Sequence, residues 1–325
     1  MTQFMMLVGI AGSGKSTLGN VVAKGGAVYL SSDELREELL GDENNQEKNS
    51  DVFVEMAKRT KEALQAGFDV IYDATNISRK KRRGLLQQLP KNVTKRVIYM
   101  ATEYDVIKYQ NANRDRVVPP EVIDRMYKNL QVPIYSEGWD DIQMVVPNVC
   151  KFSESVSEKI RGMALTNPYE DEIMDKLALY FREFKDILDM PQDSTYHSFS
   201  VSRHTYYVYK EVFDNYHEHD RELMIWVALL HDTGKAFCKS FYNRKGEKVR
   251  YANFIGHEHV SSQLAIHVMK RLNFDMETIR KATLLIQFHM YLLDQKANRT
   301  KLLNQVGQDM FDRLEFLRNA DTLAH

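Results

Sequence analysis

The stretch GIAGSGKS, Gly9 to Ser16, constrains this chain more than any other eight residues. It has the spacing G-x-x-x-x-G-K-[ST] and lies between an apolar run, MMLVGI, and a segment that reads as a helix. Glycines at Gly9, Gly12 and Gly14 let backbone N–H groups converge on phosphate oxygens, and the helix N-terminus adds partial positive charge. Lys15 is placed to reach the β- and γ-phosphates and the Ser16 hydroxyl to ligate Mg²⁺, with Ser13 and Thr17 lining the same turn. ATP and Mg²⁺ are the cofactors this motif predicts.

The surrounding pattern supplies a matching frame. AVYLSS, FDVIYDAT, RVIYMAT and IQMVV are short runs rich in β-branched or aromatic residues, separated by helical stretches such as VFVEMAKRTKEALQAG. Such alternation predicts a parallel sheet covered on both faces. From about residue 167 the strand signal fades. EIMDKLALYFREFKDIL, RHTYYVYKEVFDNY, RELMIWVALLHD, HVSSQLAIHVMKRL and METIRKATLLIQFHM all read as helices. The expectation is two domains, α/β over 1–155 and all-α over 156–325, joined through the charged segment 153–166; 325 residues suit that division.

The formal net charge is −1, so any nucleic-acid surface must be local. Cys150 and Cys238 are too few for a disulfide framework or a cysteine zinc site, which fits a reducing cytoplasm. The opening MTQFMMLVGI lacks a charged leader region and reads as a first strand, and no apolar run is long enough to span a bilayer. A cytoplasmic protein without a membrane partner is expected.

On the acceptor side, the second strand ends in SSDELR. Asp33 there, beside the phosphate loop, is placed to take a proton from a hydroxyl attacking the γ-phosphorus; standing alone it would read as a helix cap. Arg36, three residues on, could hold an acceptor phosphate. The third strand ends in Asp73-Ala-Thr-Asn76, where a carboxylate could hold Mg²⁺ through water. The run Arg79 to Arg83 opposes a helix dipole unless it meets a phosphate-rich substrate or is simply solvated. Arg114 and Arg116, before a proline turn, could close over ATP.

Together GIAGSGKS, SSDELR, DATN with its following arginines, and NRDR…PPEVIDRMY resemble the kinase half of phage-type polynucleotide 5′-kinases, over nearly all of residues 1–150. The resemblance implies Lys15 and Ser16 on ATP·Mg²⁺, Asp33 as general base, Arg36 on the acceptor phosphate, and Arg116 or else Arg114 as the lid arginine.

The second half carries WVALLHDTGKAF, in which His231 and Asp232 close an apolar helix. Adjacent helical residues point about 100° apart, so a metal collects both if Gly234 breaks the turn. His204, His257, His289 and Asp321 also stand in or beside apolar helical segments, where unsatisfied imidazoles are costly. The order H…HD…H…H…D resembles the HD phosphohydrolase superfamily, and PQDSTYHSFSVSRHT with IGHEHVSSQLAIHVMKRL resembles the HD domain of bacterial tRNA nucleotidyltransferases, over about 185–325. It implies His204, His231, Asp232 and Asp321 around a first metal, with His257 and His289 holding a second or binding the scissile phosphate. His197, His259 and His267 are read as surface or outer-layer residues. The donor set suits Mn²⁺, Ni²⁺, Zn²⁺ or Mg²⁺.

The two resemblances jointly imply an end-healing enzyme. One half would phosphorylate 5′-OH ends. The other would remove a 3′-phosphate or 2′,3′-cyclic phosphate, on RNA (tRNA among its forms) or DNA, leaving ends for an RNA ligase partner. A small-molecule or nucleoside kinase fused to a nucleotidase, or a non-catalytic ATP-binding module gating the HD half, are the alternatives.

Overall fold

Five strands rise where the sequence alternates: β1 (Thr2–Val8), β2 (Val28–Ser31), β3 (Val70–Asp73), β4 (Val93–Met100) and β5 (Asp141–Val145). All pair in parallel, in the order β2-β3-β1-β4-β5. Successive crossovers therefore leave β1 in opposite directions, and the carboxyl ends of the central strands face the crevice at that switch. Register puts Leu7 and Ser31 on either side of Asp73. The computed structural model describes every residue except Met1, Asn44, Gln46, Asp115, 167–171, 195–198 and His325.

Among the described residues six α-helices accompany the sheet: α1 (Lys15–Ala23), α2 (Ser32–Leu40), α3 (Asn49–Gln65), α4 (Arg79–Leu86), α5 (Tyr104–Ala112) and α6 (Pro120–Asn129). The strands bury Phe4, Met6, Leu7, Val8, Ile71 and Val97 almost completely, as strands covered on both faces must. On the sheet side α3 presents Val52, Met56, Thr60 and Leu64, spaced by four residues.

The chain divides into two units, Met1–Pro147 and Asn148–His325. The second begins with α7 (Glu154–Thr166), followed by α8 (Ile173–Ala178), α9 (Arg182–Lys185), α10 (Val201–Asn215), α11 (Arg221–Leu230) and α12 (Lys235–Cys238). Strands β6 (Ser240–Tyr242) and β7 (Lys248–Asn253) then precede α13 (His257–Arg271), α14 (Met276–Phe288), α15 (Arg299–Val306) and α16 (Gln308–Leu323). Helix α11 is buried on all sides, Leu223 to Leu230 without exception, which makes it the centre of the unit.

Two expectations need correction here. The segment 153–166 is not a junction but helix α7 of the second unit, because Ser157, Ile160 and Ala164 are buried and Arg161 makes a bidentate pair with Glu222 at 2.7 and 2.8 Å. The single helix expected over EIMDKLALYFREFKDIL breaks between α8 and α9. Phe181 takes an extended conformation there, and its buried ring meets Phe152 and Phe184 edge-on or tilted. The second half is mostly helical, as its sequence pattern predicts, with one addition: β6 and β7 pair as an antiparallel hairpin.

Candidate functional site

In the first unit the loop between β1 and α1 supplies the backbone cradle. Gly12 has φ +82°, and a Cβ there would lie 2.8 Å from the Ile107 carbonyl oxygen, so only glycine fits. Lys15 is buried, and its Nζ donates to the Ile10 carbonyl at 2.9 Å. Burial holds its pKa below the usual lysine value, against the pull of Asp73 and Asp33; Arg114 adds positive charge beside it. Ser16 Oγ and Tyr29 OH both donate to Asp73 Oδ2, at 2.8 and 2.6 Å. The Mg²⁺-side hydroxyl and the strand-end carboxylate are thus already joined. Ser13 Oγ is buried in the loop with no hydrogen-bond partner among the described residues, and Thr17 is exposed.

Asp33 does not cap α2. Ser31 does, its side chain accepting from the backbone N–H groups of Asp33 and Glu34. The Asp33 carboxylate is left to two arginines, Arg36 at 2.7 Å and Arg116 at 2.9 Å. Burial would raise its pKa, but the hydrogen bonds and charges of Arg116 and Arg36 prevail and hold it below the usual carboxylate range. Arg36 is itself buried and is fixed further by Asn49 Oδ1 at 3.0 Å and the Glu43 carbonyl at 3.2 Å. Of the two lid candidates, Arg116 reaches Asp33, whereas Arg114 acts on Lys15.

The basic run behaves otherwise than expected of a phosphate-binding patch. Arg82 is fully buried, forked onto Glu137 with two contacts of 2.6 Å, and Arg79 lies 3.6 Å from the same carboxylate. Glu137 also accepts from Trp139 Nε1 at 3.2 Å and the Ile134 N–H at 3.0 Å. These two arginines neutralise a buried carboxylate, which resolves their conflict with the helix dipole. Only Lys80, Lys81 and the half-buried Arg83 remain available to solvent.

In the second unit all six proposed ligands are buried and converge. They come from α10 (His204), the turn after α11 (His231, Asp232), the start of α13 (His257), the end of α14 (His289) and α16 (Asp321). Two groups have ligand atoms within 4.8 Å of one another: His204, His231 and Asp321, and Asp232, His257 and His289. Asp232 joins them, with Oδ2 3.3 Å from His231 Nε2 and 3.5 Å from His204 Nε2, and Oδ1 3.2 Å from His257 Nε2 and 3.8 Å from His289 Nε2. His204 Nε2 lies 2.8 Å from Asp321 Oδ1. Sequence placed Asp232 with the first group; its two oxygens face one group each.

Every histidine of the cluster is oriented through its other nitrogen. His204, His231, His257 and His289 donate from Nδ1 to the carbonyls of Ala324, Ala228, Phe254 and Ile286, at 2.7–2.9 Å. A carbonyl can only accept, so in each neutral ring Nδ1 carries the hydrogen and Nε2 presents a lone pair to the centre. His257 Nε2 and His289 Nε2 consequently face each other at 3.2 Å. Two lone pairs at that distance require a proton or a metal ion between them. Burial and the neighbouring His257 and His231 lower the His289 pKa to about 3, so a proton is disfavoured. Asp232 and Asp321 stay ionised despite their burial: the charges of Lys235 and His231 hold the first well below the usual range, and His204 and His231 lower the second. Burial is likewise overcome at His231, whose pKa Asp232 raises, so that imidazole takes a proton more readily than a free one until a metal ion replaces it. Ionised carboxylates and inward lone pairs around a shared carboxylate fit divalent metal binding.

Gly234 does not break the turn as expected. Its φ is −70°, an ordinary helical value. It is needed for space, since a Cβ there would lie 2.5 Å from the His257 carbonyl oxygen and 2.6 Å from the Ser261 nitrogen. The missing side chain lets the His231–Asp232 turn close on the start of α13.

Comparison with known proteins agrees with this division. Residues 4–133 match the AAA domain family and residues 195–324 the HD domain family. The chain carries a P-loop kinase-like domain followed by an HD domain. A curated relative, L-seryl-tRNA(Sec) kinase of Methanococcus maripaludis, is 29% identical over 166 residues, covering 47% of this chain. This chain spans only 63% of that relative's length. Solved structures of a sugar kinase from Janibacter sp. HTCC2649 and a gluconokinase from Sinorhizobium meliloti 1021 are 19% and 17% identical. They cover 45% and 44% of this chain and 84% and 82% of their own, each with a TM-score of 0.34, likenesses too distant to bear on function.

The kinase-like domain implies ATP and Mg²⁺, and the HD domain a divalent metal. Among the described residues no helix is long and apolar enough to cross a membrane. One charged residue of the HD domain beside the cluster escaped the sequence reading. Lys235 is buried, with Nζ 2.7 Å from Asp232 Oδ2 and 2.9 Å from Gln192 Oε1. Its place four residues after His231, one helical turn on, was the available signal. Of the histidines read as surface or outer-layer residues, His267 is buried in α13 and His259 lies beside Glu258, neither within the cluster, while His197 falls outside the described residues.

Proposed function

We propose that this protein heals nucleic-acid ends, adding a phosphoryl group to a 5′-hydroxyl through its kinase-like domain and removing a 3′-phosphate or 2′,3′-cyclic phosphate through its HD domain. One observation carries the reading: opposed phosphate chemistries are built into one chain. A loop with a hydroxyl-activating carboxylate suits phosphoryl gain, and a buried imidazole–carboxylate cluster suits phosphoryl loss.

In the first site Lys15 and Ser16 hold ATP·Mg²⁺, with Asp73 orienting the Ser16 hydroxyl. Asp33, kept ionised by its arginines, accepts the proton of the attacking hydroxyl. Arg36 leaves Asp33 for a phosphate of the acceptor strand, and Arg116 supports charge on the transferring group. In the second site His204, His231, Asp232, His257, His289 and Asp321 hold the metal. A divalent ion there supplies an acidified water and neutralises phosphate charge. Lys235, beside Asp232, adds positive charge for the scissile phosphate. An RNA ligase would be the natural consumer of the product ends. The substrate named for the curated relative, an L-seryl-tRNA, brings an RNA into the comparison, although the hydroxyl in that name is a seryl one and not a 5′ end.

A second reading is a small-molecule kinase fused to a nucleotidase. It is favoured by the loss of Arg79 and Arg82 from the expected phosphate patch. The test is transfer of the γ-phosphoryl of ATP to a 5′-OH oligonucleotide and to free nucleosides, side by side. Transfer to the oligonucleotide is expected; transfer to nucleosides alone would select the second reading.

A further inference from the structure

The β6–β7 hairpin is joined to the metal cluster at both of its roots. It leaves α12 five residues after Lys235 and returns through Phe254 to His257. The Phe254 carbonyl accepts from His257 Nδ1 at 2.9 Å, and its ring lies 5.4 Å from Lys235 Nζ. The base is further tied down by the Ala252 N–H to the Asp193 carbonyl at 3.0 Å and by Lys239 to the Asp193 carboxylate at 2.6 Å.

Beyond that base the hairpin offers little that a protein core could use. Phe241, Tyr242 and Tyr251 are exposed, at 37%, 56% and 43%, as is Ile255 at the foot of the hairpin. Arg244, Lys245, Lys248 and Arg250 are exposed among them and form no ion pair with a described residue. Glu247 is the single acid between residues 239 and 256, and it is occupied by Asn243 Nδ2 at 2.7 Å. In a chain of net charge −1 this is a local concentration of cations interleaved with aromatic rings. Arg250 already lies 5.2 Å over the Tyr251 ring. Backbone phosphates met by arginine and lysine, with bases stacked on tyrosine, are how single strands are held without sequence preference.

We infer that the hairpin is a landing surface for single-stranded nucleic acid, delivering a 3′ end to the metal cluster at its root. This rests on the end-healing reading of the HD domain but is tested without catalysis. A single-stranded RNA of about twelve nucleotides, bearing 4-thiouridine and a 3′-phosphate, is irradiated with the whole chain in EDTA, and the crosslinked peptides are sequenced. Crosslinks within residues 239–256 are expected. Tyr242→Ala with Tyr251→Ala should abolish them and weaken binding through this surface about tenfold. Arg244→Ser with Arg250→Ser should flatten its salt dependence.

Crosslinks confined to residues 1–147 would overturn the inference. So would poly-glutamate displacing the hairpin crosslink as well as unlabelled RNA does, since the surface would then belong to an acidic protein. Failure of the wild type to remove a 3′-phosphate from a mononucleotide, with metal supplied, would strike the end-healing reading instead, and the crosslink map would still decide this one.

Discussion

The two domains would organise the proposed phosphate chemistry in contrasting ways. In the kinase-like domain the cradle is eight consecutive residues, and much of the binding falls to backbone amides that no side-chain substitution removes. In the HD domain six side chains spread over 118 sequence positions, from His204 to Asp321, meet only because five buried segments pack correctly. The first site is a local structure placed on a sheet. The second is a product of the whole helical core, with each imidazole aimed by a carbonyl of its own neighbourhood. Damage to the first should be confined to the residue changed, whereas damage to the second should spread through packing.

That contrast can be broken at several points. The largest expected effect is at Asp33, where Asn keeps the shape but cannot take a proton. Phosphoryl transfer should fall by about 10²–10⁴-fold with ATP binding retained, as measured by single-turnover kinetics and nucleotide titration. Asp232→Ala comes next. Removing a mere supporting partner of a metal ligand costs about 10–100-fold in affinity, and Asp232 faces both ligand groups, so a loss beyond about a hundredfold is expected. Metal analysis after dialysis would show it, and metal retained at the wild-type level would refute the shared-carboxylate geometry.

Gly234→Ala probes the packing side of the comparison. The added methyl should cost about 1–3 kcal/mol of HD-domain stability and weaken metal binding although no ligand is altered. Calorimetry with a metal titration would test this, and an undisturbed metal affinity would mean the cluster is less dependent on helix packing than argued. A smaller effect concerns the lid. Arg116 helps to depress the Asp33 pKa, so Asp33 stays charged as pH falls and the acid limb of the kinase profile lies low. Arg116→Ala should move that limb to higher pH, while Arg114→Ala should leave it in place; equal shifts would erase the distinction drawn between them. Smallest is the basic run. With Arg79 and Arg82 engaged by Glu137, neutralising Lys80, Lys81 and Arg83 should change the salt slope of oligonucleotide binding by no more than about three.

What was legible in the sequence follows the same division. The phosphate loop could be read because its chemistry is contiguous, and the strands because residues buried on both faces form unbroken apolar runs. The six candidate HD ligands could be picked out as residue types in an order, and the structure brings them together. Their grouping was not, because which oxygen of Asp232 faces which histidine depends on helices far apart in sequence. Arg82 looked like a surface cation because its partner Glu137 is 55 positions away. The hairpin was missed because β6 and β7 bury so little that no apolar alternation marks them, and only the turn around Asn243 and Gly246 hinted at it. Ser31, not Asp33, caps α2, a choice between neighbours that composition cannot make.

The claim on which the rest depends is that two independent sites act in opposite directions on phosphate. Its most direct test is one oligonucleotide with a 5′-OH and a 3′-phosphate, incubated with ATP and divalent metal, both ends being followed for wild type, Asp33→Asn and Asp232→Ala. The account predicts that wild type changes both ends, that Asp33→Asn changes only the 3′ end, and that Asp232→Ala changes only the 5′ end. Loss of both changes in either folded variant, or a 3′ end that the wild type leaves untouched with every metal supplied, would contradict it.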